Sequence, residues 1–389
     1  MTGLSRRRFF PCHNLEKESI MSLFLPRRLH RLFFLLAALV ASLSAVHGAT
    51  PEKLPALNID IGETSISGLS SGAFASVQFQ VAYSSTVKGA GVIAGGPFFC
   101  SQGNVLRATT QCSCTIDPAH KLCGVSPSST ELPTLVSETR QFAAQGLIDD
   151  PANLARQRVL ILAGDKDQTV PVPIAEQLSD YYTLLAVPNK NLVSVHLSKA
   201  AHTMPTVDYG KDCGVSESPY IGKCKFDAAK VILKWIYGDL KKPKQGPVGG
   251  RLVQFDQTAY VPGNRFSWSS GMDSTGWVYI PAACAKGEAC RLHIALHGCK
   301  QGQSYLPLRP VAGGELYYGT TFVRNAGYNR WAESNHIVVL YPQAVSIPDR
   351  NPNGCWDWWG YTDANFATRK GVQNAAIRAM VDQIASGRR

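Results

Sequence analysis

The chain has 389 residues, of which 45% are hydrophobic and 17% charged, so a disordered or fibrous protein is excluded and one large domain or two ordinary ones are expected. The formal net charge is +11, but residues 1–49 hold seven of the bases and two of the acids, which leaves +6 for the rest. The remaining bases are scattered apart from a short cluster at 241–244, so no nucleic-acid partner is expected.

The N-terminal extension, residues 1–49, has the pattern of an export signal. Basic side chains at positions 27, 28 and 31 precede an apolar run over residues 32–46, and small residues near Gly48 and Ala49 follow it as a cleavage site. The run is shorter than the roughly 20 residues of a membrane span. We therefore expect cleavage, secretion to the extracellular space or the periplasm, and no membrane attachment afterwards; an uncleaved anchor is the alternative.

Ten of the eleven cysteines follow the expected cleavage point, and an even number in an exported chain predicts disulfides. Local spacing favours the pairs Cys213–Cys224 and Cys284–Cys290. Four others are expected to pair among themselves in an order that spacing does not fix: Cys100, Cys112, Cys114 and Cys123. A zinc site is the weaker alternative because the spacing of zinc ligands is missing. No metal is expected.

Strands and helices alternate along the rest of the chain. Before a polar, Pro/Gly-rich connector at 239–250, the predicted elements are strands Thr64–Ser67, Ala90–Ala94, Arg158–Leu162 and Leu192–Leu197, and helices Ala73–Tyr83, Leu132–Gln145, Pro173–Leu185 and Asp227–Tyr237. After it they are strands Leu252–Phe255, Gly276–Ile280, Leu292–Leu296 and Ile337–Tyr341, and helices Phe322–Asn335 and Val372–Ile384. This alternation is typical of a mostly parallel sheet flanked by helices.

The part after the connector has too few strands to close a sheet of its own. We therefore expect one domain over residues 50–389, in which a first part (50–238) and a second part (251–389) build a single sheet.

The pentapeptide Gly68-Leu69-Ser70-Ser71-Gly72 has the form G-x-S-x-G and lies between a predicted strand and a predicted helix. That context is the one a nucleophile elbow requires, in which the serine hydroxyl stands clear of the sheet. The backbone N–H of Ser71 would then point at the oxyanion that develops during attack. An ordinary Gly/Ser turn is the alternative.

A serine nucleophile needs a base, and the base needs a carboxylate to orient it. Asp167 follows the strand that ends at Leu162 and is the expected carboxylate, while Asp165 is expected to brace the same loop. His202 lies in a loop of small residues after the next strand and is the expected base, whereas His196 within that strand is expected to be packed. The alternative is that the two aspartates are only turn residues.

The order serine, aspartate, histidine is that of an α/β-hydrolase. In that fold the second oxyanion donor comes from a loop that precedes the nucleophile, but only about 20 residues are expected between the cleavage point and Ser70, too few for the strands that should come first. A loop of the right kind, His297-Gly298-Cys299, follows the strand Leu292–Leu296 instead. We therefore expect a circularly permuted α/β-hydrolase with the Cys299 N–H as second donor; the alternative is that the loop merely ends a strand.

The segment 353–361 concentrates three tryptophans, Trp356, Trp358 and Trp359. Such a cluster is expected to form an aromatic wall for an apolar substrate, and the alternative is that it belongs to the core. A disulfide Cys299–Cys355 would tether this segment to the oxyanion loop.

Six motifs occur in one order along the chain: GLSSGAFAS, AGDKDQTV, AAHTMPT, ALHGCKQ, GYNRWAESNHIVVLYPQA and NPNGCWDWWGY. Together they resemble the extracellular poly(3-hydroxybutyrate) depolymerases with a circularly permuted catalytic domain, over about residues 54–386. The resemblance implies the triad and the oxyanion amides named above, and a crevice-lining tryptophan at Trp358, with Trp356 as a second candidate.

The expected function is that of a monomeric secreted serine esterase that cleaves short-chain polyhydroxyalkanoate through an acyl-enzyme on Ser70, without a cofactor. One alternative is another secreted carboxylesterase, of the feruloyl or acetylxylan type. A further alternative is a non-catalytic polymer-binding protein on the same scaffold.

Overall fold

Buried runs rich in Val, Ile and Leu form the central strands of the computed structural model, which describes residues 51–308 and 315–388. The expected export signal lies outside these residues. The strands in chain order are β1 (Ile59–Leu69), β2 (Val87–Ile93), β3 (Arg158–Gly164), β4 (Leu192–Leu197), β5 (Met204–Thr206), β6 (Lys211–Asp212), β7 (Ile221–Lys223), β8 (Arg251–Asp256), β9 (Thr275–Ile280), β10 (Cys290–Leu296) and β11 (Ile337–Tyr341).

The helices alternate with these strands. In chain order they are α1 (Ser71–Ala82), α2 (Val105–Thr110), α3 (Leu132–Ala144), α4 (Val172–Leu184), α5 (Ala228–Tyr237), α6 (Ser267–Ser270), α7 (Ala282–Ala285), α8 (Thr321–Asn325), α9 (Tyr328–Asn335) and α10 (Val372–Ala385). Short 3-10 helices cover Pro151–Arg156, Asn189–Asn191, Thr258–Tyr260 and Pro262–Asn264.

Eight strands form the main sheet, in the order β4-β3-β2-β1-β10-β11-β9-β8. All neighbours from β4 to β11 are parallel, whereas β9 is antiparallel to both β11 and β8. Counted from β8, the loop after β10 follows the third strand, which is where an α/β-hydrolase carries its second oxyanion donor. The prediction of a circularly permuted α/β-hydrolase with one mostly parallel main sheet is confirmed.

The two ends of the described chain meet beside the start of β1. The Leu57 N–H donates to the Ile384 carbonyl at 2.7 Å, and the Gln383 side-chain amide donates to the Leu54 carbonyl at 3.1 Å. The connector at 239–250 joins α5 to the edge strand β8. Compared with other α/β-hydrolases, the link between α10 and β1 is therefore missing. The chain instead runs on from β4 to β8, which lie at opposite edges of the sheet.

Helices cover both faces of the sheet, so its strands are buried on two sides. Helix α1 packs on β1 and β2, beside α10 and with every residue buried, while α4 packs on β3 and β4. On the other face, α5 packs on β2 and β3, and α9 packs on β11. Helix α1 thus begins directly after Ser70, inside the core, and fixes the position of this residue.

Two local predictions were wrong, and one small sheet was missed. The helix expected over 322–335 is two helices, because Gly327 adopts φ 96° between α8 and α9. The three-stranded sheet β5-β7-β6 was missed, since its strands are only two or three residues long. His196 is not packed: β4 is an edge strand, and the His196 ring is 40% exposed and lies 3.5 Å from Asp165.

Ten cysteines form five disulfides within the described chain. They include the three pairs predicted from the sequence, Cys213–Cys224, Cys284–Cys290 and Cys299–Cys355. The four cysteines left unassigned pair as Cys100–Cys112 and Cys114–Cys123. Within residues 51–308 and 315–388, no helix is long and apolar enough to cross a bilayer. No cluster of three potential metal ligands occurs in the same ranges.

Candidate active site

Ser70 occupies a strained turn between β1 and α1. Its backbone adopts φ 57° and ψ −122°, a conformation that a residue with a side chain rarely takes. The turn closes because two glycines allow close backbone contact: a Cβ on Gly68 would lie 2.2 Å from the Gly72 carbonyl oxygen, and one on Gly72 would lie 2.3 Å from that of His297. The G-x-S-x-G sequence therefore builds the tight strand-to-helix turn of a nucleophile elbow.

A buried aspartate and a buried histidine meet at the carboxyl end of the sheet. His202 Nδ1 lies 2.7 Å from Asp167 Oδ2, and the two side chains are 8% and 1% exposed. The other Asp167 oxygen accepts the N–H groups of Thr169 and Val170 at 2.8 and 2.9 Å. Because a carboxylate only accepts hydrogen bonds, Nδ1 of His202 carries the proton and Nε2 is free to act as a base.

The loops that hold Asp167 and His202 are tied to one another. The Lys166 N–H donates to the Ala200 carbonyl at 2.9 Å, and the Asp165 N–H donates to the Leu197 carbonyl at 3.1 Å. The His202 N–H in turn donates to the Ser216 hydroxyl at 3.0 Å. The structure thus fixes the aspartate and the histidine at the carboxyl end of the sheet, the end at which Ser70 also lies. The Ser70 hydroxyl makes no hydrogen bond within the described residues.

The loop after β10 lies against the nucleophile. A Cβ placed on Gly298 would lie 3.2 Å from the Leu69 carbonyl oxygen and 3.4 Å from the Ser70 Cβ. Among the hydrogen bonds of residues 51–308 and 315–388, the backbone N–H groups of Ser71 and Cys299 have no acceptor. Two unpaired N–H groups flanking a nucleophile are the arrangement that stabilises an oxyanion.

Three contacts fix this loop from outside. The disulfide Cys299–Cys355 ties it to the aromatic segment, and the Lys300 N–H donates to the Asn353 carbonyl at 2.7 Å. The buried Gln301 side chain donates to the Pro219 carbonyl at 3.0 Å, in the region that follows His202. The loop therefore has little freedom to move relative to Ser70.

The three tryptophans of the aromatic segment lie in different surroundings. Trp356 is completely buried, 5.4 Å from His297 between ring centres, so the prediction that it lines a substrate wall is wrong and it is a core residue. Trp358 is 7% exposed and stacks on Phe74 at 4.0 Å. Trp359 is half-buried and meets Trp358 edge to face at 5.8 Å. Only Trp358 and Trp359 have surface left for a ligand.

Sequence reasoning missed Asp357, which lies between two of these tryptophans. Its buried carboxylate accepts the N–H groups of four following residues and one hydroxyl: Trp359, Gly360, Tyr361, Thr362 and the Thr362 side chain. Burial raises the pKa of Asp357, while these hydrogen bonds oppose that shift. An acid followed by several short polar and Gly residues is the signal for such a turn, and it is hidden here by the tryptophans.

An α/β-hydrolase sheet that carries a serine in a nucleophile elbow, a buried Asp–His pair and two free amides defines a serine hydrolase. Comparison with curated proteins shows that the chain is 36% identical to a polyhydroxybutyrate depolymerase of Talaromyces funiculosus, over 90% of this chain and 97% of that protein. The chain therefore belongs to the polyhydroxybutyrate depolymerase family.

A second relative is a poly(3-hydroxybutyrate) depolymerase of Delftia acidovorans, 41% identical over 90% of this chain; the chain spans 65% of the length of that protein. Two solved structures align with 87% of this chain and with the whole length of their own chains, each with a TM-score of 0.73. One is the PHB depolymerase of Penicillium funiculosum, 35% identical, and the other is a Ser-to-Ala PHB depolymerase in complex with an R3HB trimer, 34% identical. No protein-family model matches the chain.

Proposed function

We propose that this protein is a secreted serine esterase that hydrolyses poly(3-hydroxybutyrate) and related short-chain polyhydroxyalkanoates. The observation that carries the proposal is the buried 2.7 Å contact between His202 and Asp167. It lies at the carboxyl end of the parallel strands, where the strained turn of Ser70 also lies. The relatives are named for the same polyester, and one neighbouring structure holds an R3HB trimer.

In the proposed mechanism, His202 Nε2 removes the proton of the Ser70 hydroxyl as the oxygen attacks the ester carbonyl. The negative charge that develops on the carbonyl oxygen is held by the N–H groups of Ser71 and Cys299. The His202 imidazolium, stabilised by Asp167, then gives its proton to the departing alkoxide. Water attacks the acyl-enzyme by the same route and releases the acid, so the cycle needs no cofactor.

The substrate is uncharged and its repeat is largely apolar, which suits an aromatic surface next to the nucleophile. Trp358 stacks on Phe74, four residues after Ser70 at the start of α1, so an acyl chain attached to Ser70 would lie close to this pair. We propose Trp358 as the substrate-binding tryptophan, with Trp359 beside it.

The proposed domain organisation has an export signal over residues 1–49 and one catalytic domain over 50–389, interrupted by the connector at 239–250. Five disulfides support maturation in an oxidising compartment, since such bonds are rare in the cytosol. We propose that the mature enzyme acts as a monomer outside the cytoplasm. Sedimentation of the secreted protein measures its oligomeric state directly.

The test compares protein starting at residue 50 with its Ser70→Ala variant. We expect the wild type to clear a suspension of amorphous poly(3-hydroxybutyrate) and to release hydroxybutyrate monomer and oligomers, identified by mass spectrometry. The variant should release none. Ser70-dependent release of ferulate or acetate from plant cell-wall esters, without clearing of the polyester, would keep the serine chemistry but contradict the substrate.

A further inference from the structure

Gly298 is the residue on which the direction of the Cys299 N–H depends. Glycine allows wide rotation about its two backbone bonds, so an oxyanion donor placed after glycine is poorly oriented unless other groups hold it. Both hydrogen-bonding groups of Gly298 are held. Its N–H donates to Gln301 Oε1 at 2.7 Å, and its carbonyl oxygen lies 2.7 Å from His297 Nδ1.

The second ring nitrogen of His297 identifies the proton that makes this contact. Nε2 accepts the backbone N–H of Ala344 at 3.1 Å, so it carries no proton. The ring is completely buried, and burial lowers the pKa of His297 from 6.5 to about 4, which keeps the imidazole neutral near neutral pH. The proton is therefore on Nδ1, and His297 donates it to the Gly298 carbonyl.

This hydrogen bond determines where the Cys299 N–H points. In a trans peptide the C=O and the following N–H lie in one plane and point in opposite directions. Because the Gly298 carbonyl points towards His297, the Cys299 N–H points away from His297. Gly298 itself lies against Ser70. The Gln301 contact fixes the preceding peptide in the same way.

We propose that His297 and Gln301 are positioning residues for oxyanion stabilisation: together they clamp the two peptides of Gly298 so that the Cys299 N–H faces the reacting carbonyl. Neither side chain touches the substrate. The proposal rests on the serine-esterase function proposed above and adds to it the groups that orient the second oxyanion donor.

The surroundings of the two side chains suit this role. The His297 ring packs against Trp356 at 5.4 Å and Phe322 at 6.4 Å between ring centres, which prevents it from turning away. While its Oε1 accepts the Gly298 N–H, the Gln301 Nε2 group donates to the Pro219 and Tyr220 carbonyls at 3.0 and 3.2 Å. The complete burial of Trp356, which was unexpected from the sequence, is explained by its place behind the imidazole.

Two substitutions of His297 separate the two hydrogen bonds of its ring. The side-chain amide of His297→Asn can reach the Gly298 carbonyl from the position of Nδ1, whereas the longer His297→Gln can reach the Ala344 N–H from the position of Nε2 but leaves Gly298 free. We expect kcat for a p-nitrophenyl ester to fall about 10–100-fold in His297→Gln and less than about tenfold in His297→Asn, because loss of a well-aimed oxyanion donor costs 10²–10³-fold. KM should change little in either variant.

The specific readout is affinity for a trifluoromethyl ketone, which forms a reversible tetrahedral oxyanion on the nucleophile. Its inhibition constant should rise in His297→Gln by about the factor by which kcat/KM falls. His293→Gln is the matched control: His293 lies on β10, the strand that leads into the loop, is equally buried, and bonds to Ser65 and Ser67 rather than to the loop. That control should lose stability without a matching change in ketone affinity.

A third variant, Gln301→Met, removes the acceptor for the Gly298 N–H and keeps the proposal testable if the His297 variants do not fold. It should weaken ketone binding at least as much as it lowers kcat/KM. Equal losses in His297→Asn and His297→Gln, or unchanged ketone affinity in His297→Gln and Gln301→Met, would overturn the clamp. A wild type that shows no Ser70-dependent ester cleavage would instead overturn the proposed function itself.

Discussion

The two oxygens of the Asp167 carboxylate have different partners, and this difference makes the residue a sharp test of the triad. One oxygen faces His202, and the other accepts the Thr169 and Val170 N–H groups. In Asp167→Asn the amide oxygen must take the side with two N–H donors, so its NH₂ group faces His202. The imidazole then has to accept on Nδ1 and carries its proton on Nε2, where a base is required. We expect kcat to fall about 10³–10⁴-fold with little loss of stability.

The matched control for that variant is Asp165→Asn. Asp165 lies in the same loop, but its side chain is 41% exposed and faces His196 at 3.5 Å rather than the site. We expect its kcat to stay within about twofold of the wild type, because a contact between two exposed side chains contributes little. If both variants lost activity equally in a p-nitrophenyl ester assay, the special role of Asp167 would be refuted.

At the same scale, the sequence predicts residues whose surroundings are local and misjudges those whose surroundings come from elsewhere. Ser70 lies in a turn that its own neighbours Gly68 and Gly72 define, so the pentapeptide alone indicates the nucleophile. The burial of Trp356 instead comes from residues far away in the sequence, such as His297, which is 59 positions away and lies 5.4 Å from it between ring centres. No property of the segment around Trp356 distinguishes a core tryptophan from a substrate wall.

At the scale of the element, the turn that carries Trp358 and Trp359 depends on one carboxylate. Asp357 accepts four backbone N–H groups and the Thr362 hydroxyl, and it is almost fully buried. The amide of Asp357→Asn offers one oxygen and turns its NH₂ towards donors. We expect the variant to lose about 2 kcal/mol or more of unfolding free energy in urea, and to show a raised KM for hydroxybutyrate oligomers because Trp358 is less well fixed.

Asp363→Asn is the control in the same segment. Its carboxylate lies near the surface and accepts the N–H of Asn365, two residues away, and it pairs with Arg265 at 3.4 Å. We expect a change of less than about 0.5–1 kcal/mol and an unchanged KM. A KM that stayed constant in Asp357→Asn despite the loss of stability would show that the turn does not position the substrate-binding surface.

The main strands are predicted well because hydrophobic runs mark them, and the shorter elements are not. The predicted strands Leu192–Leu197 and Ile337–Tyr341 match the observed bounds. The small sheet after His202 has strands too short to show any periodicity. The break at Gly327 is hidden because apolar residues continue on both sides of it. Cysteine spacing alone also leaves several pairings equal, and packing decides between them.

At the scale of the whole molecule, two buried histidines make the fold sensitive to acid. Burial lowers the pKa of His293 from 6.5 to about 3 and that of His297 to about 4. The two ring nitrogens of His293 bond to the hydroxyls of Ser65 and Ser67 at 2.7 and 2.8 Å, and the Tyr328 ring lies 4.8 Å away between ring centres. Between pH 6.5 and these values the unfolded chain binds protons that the folded chain does not, so unfolding free energy falls as pH falls, by up to about 1.4 kcal/mol per pH unit for each histidine.

Urea unfolding at pH 7, 5.5 and 4.5 measures this dependence. His293→Gln removes one of the two titrating groups, so its stability should start lower at pH 7 but decline less steeply than that of the wild type. Parallel curves for the two proteins would show that His293 does not contribute to the acid sensitivity.

The permutation itself provides a test of the whole architecture. Residues near both ends of the described chain are already in contact, through Leu57 with Ile384 and through the Arg388–Asp60 ion pair at 3.0 Å. The connector at 239–250 is mostly exposed, and its backbone contacts the rest of the domain at few points, such as the Lys244 N–H with the Arg330 carbonyl at 3.1 Å. A variant that joins residue 388 to residue 51 by a short Gly/Ser linker and opens the chain within the connector should therefore fold.

Along the chain, that variant would begin with β8 to β11, continue with β1 to β4 and end after α5, as in an unpermuted α/β-hydrolase. Every strand would keep its neighbours in the sheet. We expect kcat for a p-nitrophenyl ester within about threefold of the wild type, because Ser70, Asp167, His202 and the loop at 297–301 keep their supporting elements. Opening the chain instead within the loop 198–203, between β4 and His202, should abolish activity, since His202 then loses the link to β4 that positions it. Equal activity of the two permuted chains would contradict the view that the loop after β4 positions the base.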